Sequence, residues 1–210
     1  LLTTIAYRIN GKTTYAMEGS IFIAGAGVQW LRDRMKFFKK APETEKIVKS
    51  LKDNNNIYLV PAFTGLGAPY WDANARGVLS GITRDTSPKE IVRATIEAVA
   101  YQTYDLFEAM KHDGLRPNIV KVDGGMVMNN WFSQFLADIV NVKVLRPKVQ
   151  ETTALGAAFM AGLQIGIYKS LKDISKNWHL DKKFSSRMKK PIRNKLLKGW
   201  STAIKKTLTD

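Results

Sequence analysis

The run Ile119-Val120-Lys121-Val122-Asp123-Gly124-Gly125, with Asn129-Asn130 a few residues later, sets the class of fold. Four largely apolar residues predict a buried strand, the glycines predict a turn, and either asparagine can cap a helix that runs through Val140. In open α/β sheets, ligands lie beyond the carboxyl ends of strands, and glycines there let a ligand approach the backbone. The amino terminus of the following helix favours anions. The turn is therefore a candidate nucleotide site, although many such turns bind nothing.

Elements of both kinds flank this run. Residues 2–9 and 13–18 predict two strands joined by Asn10-Gly11, a hairpin signal because both residues accept the positive φ of a tight turn. Ser87-Pro88-Lys89-Glu90 is a capping box that begins a helix whose apolar stripe continues to Met110. The other predicted elements are a helical pattern over 19–35, strands at 57–60, 77–83 and 143–146, a polar stretch over 41–56 that ends in a loop, a small-residue helix from Thr152 or Thr153 to about Leu163, and an amphipathic helix that begins at Pro191.

This order of strands and helices predicts an α/β fold with one sheet, antiparallel on one side and parallel on the other. The 210 residues, 45% of them hydrophobic, can fill a substantial core. We expect a lobe over residues 1–168 and a basic extension over residues 169–210, which ends in an amphipathic helix packed on the same lobe. The sequence begins with Leu1-Leu2, as if inside a strand, so we expect a piece of a longer protein.

The composition excludes several classes of protein. Cysteine is absent, which excludes a disulfide scaffold, a thiolate metal site and a cysteine nucleophile. Only His112 and His179 could supply an imidazole, so a histidine metal cluster is not expected. No apolar run approaches the roughly 20 residues of a membrane span, and no secretory signal is present. We therefore expect a cytoplasmic protein.

The net charge of +15 is concentrated at the carboxyl end. Residues 169–210 contain 13 Lys or Arg and 3 acidic residues, whereas the first 168 residues are only mildly basic. A basic tail can bind nucleic acid or an anionic membrane. It is more simply explained as a solvated, lysine-rich surface, because no aromatic residues alternate with the basic ones to form a stacking platform. A third alternative is a docking surface for a regulatory protein.

Two small-residue segments and three carboxylates are weaker candidates. Ala24-Gly25-Ala26-Gly27-Val28-Gln29 resembles a nucleotide loop but lacks the dinucleotide-binding spacing. Ala154-Leu155-Gly156-Ala157-Ala158 predicts close helix packing rather than a ligand site. Asp72, Asp85 and Asp123 lie near loops without a neighbouring histidine, which is typical of structural caps. Neither histidine has a catalytic setting, so the residues alone predict a nucleotide-type crevice and no convincing catalytic base.

Several segments, taken together, resemble the carboxyl-terminal half of the FGGY carbohydrate kinases. They follow the family's order over residues 1–168, at 1–6, 18–26, 29–33, 60–72, 75–77, 122–125 with Asn129-Asn130, and 153–158. The run Pro61-Ala62-Phe63-Thr64-Gly65-Leu66-Gly67-Ala68-Pro69-Tyr70-Trp71-Asp72 is similar to the glycerol kinases of that family more than to its xylulose or gluconate kinases. The resemblance implies an actin-like ATPase lobe of the ribonuclease-H-like type, in which helices flank a mixed sheet.

The resemblance also implies a reaction and a set of contacts. ATP would transfer its γ-phosphate to the 3-hydroxyl of glycerol, giving ADP and glycerol 3-phosphate, with Mg²⁺ on the phosphates. A related FGGY sugar or polyol kinase is the alternative. By position, Gly25 and Gln29 resemble the family's nucleotide contacts on the first loop, and Gly125 and Asn129 resemble those around adenosine. Met126 and Met128 stand where the family often has alanine, so longer side chains border the expected adenine site.

The family's catalytic aspartate and glycerol contacts lie in an amino-terminal lobe, and the Gly-Asp-Gln motif of that aspartate is absent from this chain. We therefore assign no catalytic residue and no metal ligand here. The resemblance implies that the chain pairs with this missing lobe, that the complete enzyme forms homo-oligomers, and that nucleic acid is not its partner. We expect the 210-residue chain alone to be unable to phosphorylate glycerol.

Overall fold

The computed structural model describes residues 1–209, in which strands and helices alternate without a simple repeat. In chain order the elements are β1 (Leu2–Ile9), β2 (Lys12–Glu18), α1 (Gly25–Asp33), α2 (Glu43–Lys49), β3 (Tyr58–Val60), β4 (Val78–Ser80), α3 (Pro88–His112), β5 (Ile119–Lys121), a 3₁₀ turn (Gly125–Met128), α4 (Asn130–Val140), β6 (Lys143–Pro147), α5 (Thr152–Gln164), α6 (Leu171–Ser175), β7 (Leu180–Phe184) and α7 (Lys190–Lys205). No helix in this range combines the length and the apolar character that crossing a membrane requires.

The strands of the described residues form three small sheets. β1 pairs antiparallel with β2, and β3 pairs antiparallel with β4. In the third sheet, β6 lies between β5, to which it is parallel, and β7, to which it is antiparallel. The expected combination of parallel and antiparallel neighbours is therefore present, but the prediction of one continuous sheet is wrong. The early strands pair only with each other, and within residues 1–209 no strand joins β1 to β5.

The predicted hairpin is confirmed. Asn10 and Gly11 have φ angles of 49° and 76°, positive at both central positions, as a type I′ turn requires. No residue of β1 or β2 is buried. The hairpin therefore forms from local turn chemistry and cross-strand pairing, and its strands contribute nothing to the core.

Helix α3 is the central element of the core. Its capping box is confirmed, because the Ser87 hydroxyl accepts the N–H of Lys89 and the Glu90 carboxylate accepts the N–H of Ser87 at 3.0 Å. The helix contacts α1, α2, α4 and β3. Residues 92–102 are all buried, so the middle of α3 is covered on every side rather than along the single predicted stripe.

A charged group lies inside this helix and is fully paired. Glu97 is completely buried, and its two carboxylate oxygens accept hydrogen bonds from the Arg93 guanidinium at 2.7 Å and the Tyr101 hydroxyl at 2.9 Å. Burial raises the pKa of Glu97. Arg93 also donates to the carbonyl of Leu51 at 2.8 Å, which ties the chain after α2 to α3. Removing one member of such a group would leave a buried polar atom without a partner.

The final helix packs against α3 through an aromatic contact. Trp200 is 1% exposed, and its ring stacks on Tyr101 at 5.3 Å between centroids. The Trp200 indole N–H and the Tyr70 hydroxyl both donate to one oxygen of Asp105, at 2.7 and 2.8 Å. Burial raises the pKa of Asp105 to about 6, against the opposing effect of these two hydrogen bonds. This half-buried carboxylate therefore links three segments that are distant in sequence.

Two helices differ from the sequence-based expectation. The helical pattern over residues 19–35 forms a helix only from Gly25, because the Ser20 carbonyl accepts the N–H of Ala68 at 3.1 Å instead of continuing a helix. The polar stretch over residues 41–56 contains α2, whose apolar side is narrow. Val48 is its fully buried hydrophobic residue, which gives little periodicity for a sequence pattern to detect.

Two expectations of burial are wrong. Ile119 in β5 is 47% exposed, although the apolar run predicted a buried strand. β5 is an edge strand of its sheet, so one side has no neighbour among the described residues. In α5 only Gly162 is buried, and a Cβ on Gly156 would meet nothing within 4 Å, so the expected close packing around residues 154–158 is absent. Residues 1–209 therefore leave one face of β5 and nearly all of α5 uncovered, although Val120 of β5 packs against the core.

Replacing Asp105 by asparagine should change the pH dependence of stability. Because its folded pKa is raised to about 6, the favourable contribution of protonated Asp105 is present below about pH 4 and is lost as the pH rises through 6. Asparagine stays neutral and still accepts the two hydrogen bonds. We expect the unfolding free energy of Asp105→Asn, relative to the unsubstituted protein, to rise by about 1–2 kcal/mol between pH 4 and pH 8.

Urea unfolding at the two pH values would measure this difference. Asp85→Asn, at an exposed loop carboxylate, is the matched control and should follow the profile of the unsubstituted protein. An Asp105→Asn offset that is the same at both pH values would contradict the assignment.

Candidate functional site

The predicted site residues lie around one cavity. It has a volume of about 340 Å³ and lies between the start of α1, the start of α2, the middle of α3 and the 3₁₀ turn. Gly25, Gln29, Gly125 and Asn129 all line it. The remaining lining residues are Val28, Arg32, Ala41, Pro42, Thr44, Glu45, Ile96, Met126 and Met128. Residues as far apart in sequence as Gly25 and Asn129 thus line one concave surface, as is usual for small-molecule sites.

Two glycines leave the mouth of this cavity open. Gly25 is the first residue of α1, and Gly125 begins the 3₁₀ turn. A Cβ built on either would meet nothing within 4 Å, so neither glycine is required by packing inside the protein. Gly124 has a φ of 81°, which bends the chain from β5 into the turn and favours glycine. The free space at Gly25 and Gly125 is therefore available to a ligand.

Asn129 shapes the cavity through contacts within the protein. Its side-chain oxygen accepts the N–H of Phe132 at 3.0 Å, which caps α4 as predicted. Its amide nitrogen donates to the Thr44 hydroxyl at 3.4 Å, and that hydroxyl donates to the Ala41 carbonyl at 2.7 Å. One side chain thus holds the start of α4 against the start of α2, across the cavity wall.

One wall of the cavity and part of another were not predicted from the sequence. Ala41, Pro42 and Thr44 belong to the start of α2, which the polar composition of that stretch concealed. Arg32 lies one turn beyond Gln29 on α1, and this i, i+3 spacing could have identified it. Its guanidinium pairs with Asp33 at 2.7 and 2.8 Å on the exposed surface.

The cavity is suited to binding rather than to proton transfer. Glu45 is the carboxylate among its lining residues, and a hydrogen bond from Lys49 at 2.6 Å lowers the pKa of that carboxyl group. A carboxylate stabilised in its charged form is a weak base. Within residues 1–209, no three His, Asp or Glu side chains are grouped closely enough to hold a metal ion. Ile96, Met126 and Met128 supply an apolar surface that suits a flat ring.

The other candidate residues lie outside the cavity. Asp72 accepts the N–H groups of Asn74, Ala75 and Thr209, so it is a turn cap, and the hydrogen bond from Thr209 lowers its pKa. Asp123 accepts a hydrogen bond from Thr152, and Asp85 lies on the exposed surface. His112 and His179 are also absent from the lining. The segment 24–29 borders the cavity, whereas the segment 154–158 does not.

Comparisons with known proteins give a consistent result. The C-terminal domain of the FGGY family of carbohydrate kinases matches residues 3–165. A glycerol kinase of Pseudomonas aeruginosa is 55% identical over 210 residues, which are 100% of this chain and 42% of that protein. A glycerol kinase of Alcanivorax borkumensis is 55% identical over 205 residues, 97% of this chain and 41% of that protein. The chain thus spans about two fifths of the length of these relatives.

Solved structures agree with the sequence comparisons. The crystal structure of Plasmodium falciparum glycerol kinase with ADP superimposes with a TM-score of 0.88 at 37% identity, and covers 100% of this chain and 42% of that chain. A xylulose kinase of Lactobacillus acidophilus superimposes with a TM-score of 0.76 at 24% identity, over 95% of this chain and 40% of that one. The latter likeness concerns the fold alone. The actin-like, ribonuclease-H-like fold class is therefore confirmed.

Two substitutions at Asn129 should separate its roles. Asn129→Ala removes the cap of α4 and the contact with Thr44, and should lower the unfolding free energy by about 1 kcal/mol or more. Asn129→Asp keeps an oxygen that can accept the N–H of Phe132, and should lose less stability. Urea unfolding at pH 7 would compare the two variants. Equal losses for both would show that capping is not the stabilising contact.

Proposed function

The chain belongs to the FGGY family of carbohydrate kinases, and from this we propose that it is the nucleotide-binding part of an ATP-dependent glycerol kinase. The complete protein would convert ATP and glycerol to ADP and glycerol 3-phosphate. The observation that carries the proposal is the cavity, whose lining includes Gly25, Gln29, Gly125 and Asn129. The similar Plasmodium falciparum glycerol kinase was crystallised with ADP, which supports a nucleotide as the ligand.

We propose that the adenosine part of the nucleotide occupies this cavity. The volume of about 340 Å³ is near the lower end of the range for small-molecule sites, and it suits a nucleoside better than a whole nucleotide. Ile96, Met126 and Met128 would contact the flat faces of the base. Gly125 lets the nucleoside approach the backbone, and Asn129 keeps the surrounding wall in place rather than serving mainly as a direct contact.

Catalysis is proposed to depend on groups outside residues 1–209. Glu45, the carboxylate of the cavity, is held in its charged form by Lys49. Within residues 1–209, no three carboxylate or imidazole side chains are grouped closely enough to hold a metal ion, and Mg²⁺ at nucleotide sites is usually held by one or two carboxylates together with the substrate phosphates. We propose that any Mg²⁺ requirement, the general base and the glycerol contacts are supplied by the part of the protein that the relatives have beyond this match.

We further propose that residues 1–168 form the kinase lobe, that residues 169–210 form an extension on it, and that the missing lobe covers its exposed apolar surfaces. Leu2, Ile5 and Tyr15 on the hairpin are 54%, 61% and 66% exposed. Ile165, just after α5, is 74% exposed. Large exposed apolar patches usually mark an interface with another protein surface. The relatives are more than twice as long as this chain, so they contain enough additional protein to cover them.

Phosphorylation assays with the complete protein would test the proposed activity. We expect glycerol 3-phosphate to form from ATP and glycerol, and we expect xylulose and gluconate to be poor substrates. The 210-residue chain alone, shown to be folded by circular dichroism, should form no glycerol 3-phosphate. Efficient phosphorylation of xylulose or gluconate instead of glycerol would support the alternative of a related FGGY kinase.

A valine substitution at Gly125 should test the adenosine site directly. The side chain would enter the cavity without meeting protein atoms at its Cβ, so folding should be retained. We expect ADP to bind about tenfold or more weakly to the complete protein, because the added methyl groups occupy ligand volume. Gly156→Val is the matched control, since Gly156 also has open space but lies outside the cavity. Equal ADP affinities for both variants, by calorimetry, would place the nucleotide elsewhere.

A further inference from the structure

A buried arginine lies directly behind the cavity wall. Arg146 in β6 is 6% exposed, and one of its guanidinium nitrogens donates to the carbonyls of Val127 at 2.8 Å and Met128 at 3.4 Å. A second nitrogen donates to the Asn130 side chain at 3.3 Å, and Nε pairs with Asp181 at 2.7 Å. Arg146 itself does not line the cavity. Its contacts join the 3₁₀ turn, α4 and β7 at one point.

The 3₁₀ turn depends on contacts of this kind. It begins after Gly124 without a side-chain cap, so its own sequence supplies little to fix its conformation. The Val127 carbonyl accepts both from Arg146 and from the Ser133 hydroxyl, the latter at 2.9 Å. On the other side of the same turn, Met126 and Met128 form part of the cavity wall. By binding the carbonyls of Val127 and Met128, Arg146 therefore fixes the positions of the Met126 and Met128 side chains in the cavity wall.

Asp181 connects this arrangement to the carboxyl-terminal extension. It lies in β7, and its side chain is 40% exposed, whereas that of Arg146 is 7% exposed. The ring of Phe184 lies 5.6 Å from the guanidinium carbon. Lys182, on the same strand, donates to the same Asn130 oxygen at 3.2 Å. Asp181 thus neutralises a buried positive charge in a basic neighbourhood, and fixes the plane of the guanidinium.

We propose that Arg146 is a positioning residue for nucleotide binding and that Asp181 acts through it. The extension over residues 169–210 thereby contributes to the shape of the site without contacting the ligand. The inference rests on the proposed binding of a nucleotide in the cavity. Lysine cannot replace Arg146, because its single ammonium group lacks the planar fork that reaches Asp181, Val127 and Asn130 together.

ADP calorimetry on the complete protein tests the role of Asp181. Asp181→Asn removes the charge while keeping the shape, and should weaken ADP binding about fivefold, because the guanidinium loses its charged partner. Asp173→Asn is the matched control. It removes the carboxylate of another ion pair in the same extension, with Lys176 at 2.8 Å, and does not touch the 3₁₀ turn. We expect its ADP affinity to equal that of the unsubstituted protein.

Arg146→Lys should weaken ADP binding about tenfold or more. If Asp181 acts through Arg146, the effects of the two substitutions on ADP affinity should be less than additive, because Arg146→Lys already removes the planar fork that Asp181 orients. Kinetics give an independent readout. We expect the KM for ATP to rise by about the factor seen for ADP, while the KM for glycerol stays unchanged. A purely structural defect would lower the active fraction, and hence kcat, without this selective change in KM.

Several results would overturn the inference. Unchanged ADP affinity in Asp181→Asn would do so, even if Arg146→Lys proved unable to fold. Equal weakening by Asp173→Asn, or strictly additive effects in the double variant, would also do so. Failure of the unsubstituted protein to bind ADP at all is a different result, since it would refute the proposed function itself.

Discussion

The fold depends on the complete burial of the middle of α3. Residues 92–102 are covered by α1, α2, α4 and β3, and this burial is possible because the one carboxylate inside it, Glu97, is bonded to Arg93 and Tyr101. An unpaired charge there would be too costly for the core to tolerate. The same helix contributes both to the cavity and to the packing of the final helix. Ile96 lines the cavity, and Tyr101 stacks on Trp200 of the final helix.

The cavity is formed mainly by backbone segments that are held in place from outside. Gly25 and Gly125 provide space, while Asn129 and Arg146 fix the start of α4, the start of α2 and the 3₁₀ turn. A cavity wall that is held in place before the ligand binds loses less conformational freedom on binding. Such an arrangement suits the nucleotide binding proposed for this cavity. The same contacts are the basis of the proposed influence of residues 169–210 on the site. The strand β7 carries the carboxylate that pairs with Arg146.

The most exposed strands and helices of the chain share one property, which is that they form regular secondary structure with little burial. The hairpin strands, β5 and α5 have strongly formed secondary structure but contribute little to the core. Their local signals, such as the positive φ angles at Asn10 and Gly11, suffice to form the elements. Burial of their apolar side chains requires a partner surface, and the length of the relatives is consistent with one.

Short stretches of sequence sufficed to predict two helix caps and the hairpin turn, whereas the start of α1, the helix α2 and part of the cavity lining were not predicted. The capping box at Ser87, the cap at Asn129 and the turn at Asn10 each depend on a few adjacent residues. They can therefore be predicted from the sequence without knowledge of the tertiary structure. The resemblance to a family selected Gly25, Gln29, Gly125 and Asn129, which line one cavity. Only the tertiary structure revealed the wall from α2 and the pairings of Asp105 and Arg146. These depend on partners up to 95 positions away, and no local pattern encodes which distant atom will satisfy a buried charge.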